Sequence, residues 1–197
     1  MLRTEIDAVL VEVLAGRRLL DHPFYRRWEA GDLEVGELAA YAGQYRHVEA
    51  ALPGVLERAL AGIEDPEARR PVQANLDDER SKPAPHVELF EGFAAAVGAP
   101  ARAEATPATE ALLAVTGGSA TPAAALAALA AYEVQAAAIA TSKAAGLRRH
   151  YGIDDTGTRF WDVHAGLEAD HGGWTVEAIA ALGAQRPEVE GAAAAAA

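Results

Sequence analysis

The chain contains no cysteine, which excludes disulfides, thiolate metal sites and cysteine nucleophiles but leaves the compartment open. Lysine is nearly as scarce: fifteen arginines stand against two lysines, Lys82 and Lys143. Lysine can lose its proton and act as an amine where arginine effectively cannot, so either lysine is a mild signal. Positive charge is short overall. A formal net charge of -12, with the acidic residues spread along the chain, argues against nucleic acid or an anionic membrane as partner, because both need clustered basic residues. There is no unbroken apolar run of membrane-spanning length and no charged-then-apolar leader, so a cytoplasmic protein is expected. Internal repeats, linkers and convincing strand alternation are also missing. A length of 197 residues suits one domain, 1–197, with a full-sized core.

What is present reads as helix. Ile6, Val9, Leu10, Val13 and Leu14 fall at helical spacing over 2–20, and "DHPFYRRWEAGD" is a short helix or turn. Asp32 can cap a long helix over about 33–62 with a kink at Pro53, and Asp65-Pro66 opens another. Pro83 and Pro85 break that helix, and a new one starts near His86 and ends at Gly98. Short pieces over 99–121 precede a long helix from Thr121-Pro122 to about His150, and "YGIDDTGT" is a loop before the next. "PEVEGAAAAAA" reads as a helix just starting, which gives the expectation that the native chain continues past Ala197 into a last helix. The fold class is all-α, a compact helical bundle with short connections.

Three segments carry chemistry. In "FWDVHAGLEADHGGW", His164, Glu168 and His171 stand at steps of 0, +4 and +7, one helical face. Imidazole nitrogens and carboxylate oxygens are the usual ligands of iron, manganese and zinc; the alternative is a polar surface stripe with Asp162 and Asp170. Glu133 is the only carboxylate from 123 to 142 in a helix apolar on every side. A buried carboxylate must be protonated, paired or metal-bound, and a hydrogen bond to a buried Tyr or Arg would also satisfy it. Glu79 and His86 flank the proline break and can converge on one point, or simply belong to a polar loop. Together the six supply three carboxylates and three imidazoles from three segments, the inventory of a di-metal site in a bundle, though not the paired Glu-x-x-His pattern. A segment broken by prolines is expected to order when metal binds.

These motifs resemble the haem-oxygenase-like di-metal oxidases, and within them the CADD-like proteins. "HPFYRRWEAGDLEVGELAAYAGQY" is similar to that family's early helices. "EARRPVQANLDDERSKPAPHVELFEGFAAAVG" is similar to the segment with its first Glu and His ligands, "LAAYEVQ" to its central Glu, and "HAGLEADH" to its last ligand cluster. The resemblance spans nearly the whole chain. It implies a haem-oxygenase-like bundle with Glu79, His86, Glu133, His164, Glu168 and His171 as metal ligands. The position of Glu168 is more often Asp in that family, a change that keeps the charge but adds a methylene. The resemblance further implies two non-haem ions, Fe/Fe or Fe/Mn, with O2 and an external reductant. It implies synthesis of p-aminobenzoate for folate by consumption of the protein's own Tyr25, whose Cβ becomes the carboxylate, with nitrogen from Lys143. Such a protein turns over once or a few times, and a homodimer is the expected assembly.

Three alternatives stay open. The same metals can serve a diffusible amino acid or fatty acid, with Tyr25 merely packing beside Phe24 and Trp28. Tyr41, Tyr45, Tyr132 and Tyr151 are rivals of Tyr25 as the oxidised residue. A non-catalytic all-α interaction module is the third. Thiaminase-like chemistry, which relies on a cysteine, is excluded, and haem degradation does not suit so large a ligand set. His22, His47 and His150 have no partners at metal spacing and read as structural or solvent-facing, and Lys82 as a solvated loop residue.

Overall fold

The computed structural model describes residues 1–81 and 84–197, with the side chains of residues 81 and 167–169 excepted. Lys82 and Pro83 therefore lie outside the described residues. Among the described residues there are nine α-helices and no strand: α1 (Arg3–Val13), α2 (Pro23–Ala30), α3 (Val35–Ala61), α4 (Pro66–Ser81), α5 (His86–Ala96), α6 (Pro107–Gly117), α7 (Pro122–Tyr151), α8 (Asp155–Ala181) and α9 (Arg186–Ala196). A single 3-10 turn covers Leu19–Asp21. The all-α expectation is borne out.

The helix ends follow local chemistry. Thr106, Thr121 and Asp154 each accept a backbone N–H at the start of α6, α7 and α8. Gly152 adopts a left-handed conformation where α7 stops, which a residue without Cβ does without strain. Asp32 is not the cap of α3. That helix begins two residues later, because Glu37 accepts the backbone N–H of Glu34 at 2.9 Å and is itself held by Arg27. The first helix ends at Val13 instead of running to 20, and Gly16 with φ 75° turns the chain. The end of the chain forms a packed helix, with Val189 and Ala193 of α9 buried.

Helix α7 is the centre of the bundle. It is long and apolar enough to cross a membrane by length and composition, contrary to the expectation that no such run exists; 67% of that stretch is buried inside the protein, so its apolarity is that of a core helix. Helix α8 packs along it, and α3, α4, α5 and α9 complete the bundle. The packed side chains form two separate apolar clusters. One gathers Leu56, Val72, Leu126, Ala130 and Val176; the other gathers Leu38, Phe90, Ala140, Leu147 and Trp161. Helices α3, α7 and α8 each cross from one cluster to the other. The polar residues of the next section sit at that crossing: position 49 between Ala42 and Leu56, position 133 between Ala131 and Ala140, positions 164 and 171 between Trp161 and Val176.

Candidate metal centre

Five of the six candidate ligands can be placed, and all five are buried: Glu79, His86, Glu133, His164 and His171 are each at most 4% exposed. The side chain of Glu168 lies outside the described residues; its backbone stands within α8 between His164 and His171. His86 is the first residue of α5, and its ring lies against Glu79 near the end of α4. Its Nδ1 lies 2.9 Å from Glu79 Oε2, and His171 Nδ1 lies 3.5 Å from Glu79 Oε1. The His86 ring stands 4.4 Å from that of His164 and 6.0 Å from that of His171, centre to centre. Glu79 and His86 thus converge on the α8 stripe.

His164 donates from Nδ1 to the carbonyl oxygen of Phe160, one turn earlier, at 2.7 Å. A carbonyl can only accept, so that nitrogen holds the proton and Nε2 carries the lone pair, the state a metal requires. Burial, with His86 nearby, pushes His164 well below the usual histidine range, which keeps it neutral. Glu133 is held differently. Asn75 Nδ2 donates to its Oε1 at 2.9 Å and the Thr175 hydroxyl to its Oε2. Burial raises its pKa, and these two hydrogen bonds oppose the rise.

A further carboxylate, absent from the sequence-derived set, joins the group. Glu49 of α3 is 3% exposed, and ligand atoms of Glu49, Glu79, His86 and His164 all lie within 4.8 Å of one another. Its Oε1 is buried without a hydrogen-bond partner. Burial and the nearby Glu79 push its pKa well above the usual carboxylate range. Two carboxylates meet here with Lys143 as the one nearby cation among the described residues, so positive charge is short, and an unsatisfied buried oxygen is costly. Divalent ions would supply that charge, so the donor set fits oxygen- and nitrogen-binding metals. The signal for Glu49 was in the heptad Leu38, Ala42, Tyr45, Glu49, Leu52, Leu56, Ala59, where it occupies an otherwise uncharged stripe.

The second pole of the site is Lys143, which is 1% exposed. Its Nζ donates to Tyr41 Oη at 2.5 Å and lies among five rings: 3.9 Å from the centre of Trp161, 4.8 Å from Tyr41, 5.0 Å from Tyr45, 5.1 Å from Tyr25 and 5.7 Å from Trp28. Such a cage stabilises a buried ammonium through the ring faces. Glu49 and His164 feel its charge, so the amine adjoins the metal-binding group. The Tyr25 hydroxyl hydrogen-bonds Tyr41. Burial raises the phenol pKa of Tyr25, Tyr41 and Tyr45.

Of the rival tyrosines, Tyr41 and Tyr45 lie as near Lys143 as Tyr25 does. Tyr45 and Tyr132 share a hydroxyl–hydroxyl bond of 2.8 Å, and Tyr151 accepts the N–H of Leu33 at 3.1 Å. His22, which is exposed, accepts the N–H of Phe24, and His47 and His150 contact the carbonyls of Ala103 and Glu29. A cavity of about 300 Å³ borders Tyr25, Tyr41, Tyr45, Tyr132 and Glu49.

Residues 39–197 match the family of iron-containing redox enzymes, Haem_oxygenas_2. The chain belongs to that family. It is 29% identical to the 4-aminobenzoate synthase of Chlamydia pneumoniae over 91% of this chain and 84% of that one. With the 4-aminobenzoate synthase of Nitrosomonas europaea the identity is 34% over 81% of this chain and 72% of the relative; for that of Chlamydia trachomatis it is 34% over 73% and 65%. A CADD-like protein of unknown function from Nostoc punctiforme superposes with a TM-score of 0.76 at 20% identity, covering 98% of this chain and 90% of that one. A domain of unknown function with a haem-oxygenase-like fold from Shewanella denitrificans superposes at 0.68 and 15% identity, over 98% and 83%. The haem-oxygenase-like fold expected from the resemblance is thereby shown.

Proposed function

We propose that this iron-containing redox enzyme is a self-consuming p-aminobenzoate synthase, in which Tyr25 supplies the ring and Lys143 the nitrogen. One observation carries the reading: the amine of Lys143 lies 5.1, 4.8 and 5.0 Å from the rings of Tyr25, Tyr41 and Tyr45 in a pocket that adjoins the buried Glu and His group; the resemblance of "HPFY" to the family's early helices selects Tyr25 among the three. The relatives named 4-aminobenzoate synthase support it.

Glu79, His86, Glu133, His164, Glu168 and His171, joined by Glu49, would hold two non-haem ions, Fe/Fe or Fe/Mn. When bound, such ions supply an oxidant made from O2 with electrons from an external reductant. The rest is the work of this chain. Burial keeps Tyr25 a neutral phenol, so removing an electron from its ring requires its Oη proton to leave. The Tyr41 hydroxyl adjoins that of Tyr25 and receives the hydrogen bond of Lys143, so it links the phenol to the amine. The aromatic cage fixes the direction of Nζ and keeps water from the ring carbon where nitrogen must arrive. Consumption of Tyr25 and Lys143 limits each chain to one turnover.

The test is reconstitution with Fe(II), reductant and air without added substrate, followed by mass spectrometry. Free p-aminobenzoate with a matching loss at Tyr25 is expected. An undiminished yield from Tyr25→Phe overturns the proposal. The 300 Å³ cavity favours one second reading, oxidation of a diffusible amino acid or fatty acid, which predicts product only after such a substrate is added.

A further inference from the structure

The metal-binding group leaves the cavity unexplained. Its walls combine apolar side chains such as Leu52 and Leu129, and Ala196 and Ala197 of the chain end, with a Glu49 end; among the described residues Arg17 is the one cationic side chain that borders it. The neutral polar groups along it are already engaged. Gln44 bonds Glu104 O, Thr106 N and the hydroxyl of Thr109, and Gln135 bonds Leu19 N and Ala131 O. A sugar or a free amino acid would therefore find few partners for its polar atoms. A cavity of roughly 150 Å³ holds a benzene, and about 300 Å³ leaves room for one ring with two substituents.

We propose that this cavity binds a single-ring aromatic carboxylate, its ring between Leu52 and Leu129 and its carboxylate at Arg17, and that it receives p-aminobenzoate on cleavage. The identity of the ligand rests on the function proposed above; its binding does not. Tyr25 forms part of the wall, so a fragment cut from it is released inside the cavity. Arg17 is exposed, with only a 3.2 Å bond from Nη1 to Ala194 O, and its remaining N–H groups can take a carboxylate.

The experiment is calorimetric titration of added p-aminobenzoate into the metal-free full chain and into Tyr25→Phe. Saturable binding of one molecule per chain is expected in both. Arg17→Gln, a surface change that cannot unfold the core, should weaken it about tenfold, the loss of one charge-assisted hydrogen bond, while aniline, which lacks the carboxylate, should bind both proteins alike. Leu129→Trp should fill the cavity and abolish binding; if it fails to fold, Leu52→Phe serves the same purpose. No saturable binding, or binding indifferent to Arg17→Gln, overturns the proposal. So does tighter binding of dodecanoate than of p-aminobenzoate. Because the ligand is added and not made, a protein that fails to synthesise p-aminobenzoate still answers this question, and synthesis without saturable binding refutes the cavity alone.

Discussion

Lys143 Nζ and the Tyr25 ring face each other at 5.1 Å, with the Tyr41 hydroxyl contacting both. The contact joins α7 to α2, and the approach depends on Gly146. A Cβ there would meet Trp28 Cδ1 at 2.8 Å, and Trp28 Nε1 donates to the carbonyl of Lys143 at 3.2 Å. The cage is therefore assembled by helix packing and not by a loop.

Lys143→Met should abolish p-aminobenzoate while leaving the fold intact. Methionine fills the same unbranched space, and replacing a buried charge by an apolar group of similar volume is often neutral or stabilising, within about 1–4 kcal/mol. Product by mass spectrometry and the melting temperature check the two halves. Product from the variant would remove Lys143 as the amine.

Glu49→Gln should have opposite effects with and without metal. The folded pKa of Glu49 is raised, so its contribution to the metal-free protein is present at acid pH below about 4.3, the unfolded value for Glu, and is lost as pH rises through the folded value. At pH 8 the metal-free variant should unfold at higher denaturant than the parent. With Mn(II) or Fe(II) present, the parent should gain about 2.7 kcal/mol at a hundredfold excess over Kd, and the variant less. Identical gains in both would show that Glu49 does not touch the metal.

Thr175→Val removes one of two hydrogen bonds to buried Glu133. A loss of about 1–3 kcal/mol in the metal-free protein is expected, read by chemical denaturation. Thr175→Ser keeps the donor and should recover most of it.

Gly172→Ala tests the closeness of α7 and α8. The added Cβ would lie 3.3 Å from Glu133 O and 3.4 Å from the Val134 Cα. We expect destabilisation of about 1–3 kcal/mol and weaker metal binding by metal-monitored titration, because His171 and Glu133 sit on the two surfaces being pushed apart. Unchanged binding would mean that the helices shift together.

Much of this centre was legible in the sequence. The 0, +4, +7 stripe of α8, the lone carboxylate of α7 and the proline break before His86 follow from helical period and from the price of burying charge. Glu49 was not, because a glutamate inside a long helix ordinarily faces water; only the heptad shows it on the inner stripe. Asn75 and Thr175 were hidden for a related reason: small polar residues are common on helices, and their purpose appears only once Glu133 points at them. The start of α3 was displaced because a tertiary ion pair, Arg27 with Glu37, decides it.

Helix α7 carries both Glu133 and Lys143, ten positions apart, or about 15 Å of rigid rod. The helix is a ruler. A substitution along it changes a side chain, whereas inserting or deleting one residue between the two turns the amine by about 100° relative to the carboxylate and swings it out of its ring of aromatics. Point changes at the exposed positions between the two poles, such as Val134, leave that spacing intact, while a change in the residue count does not.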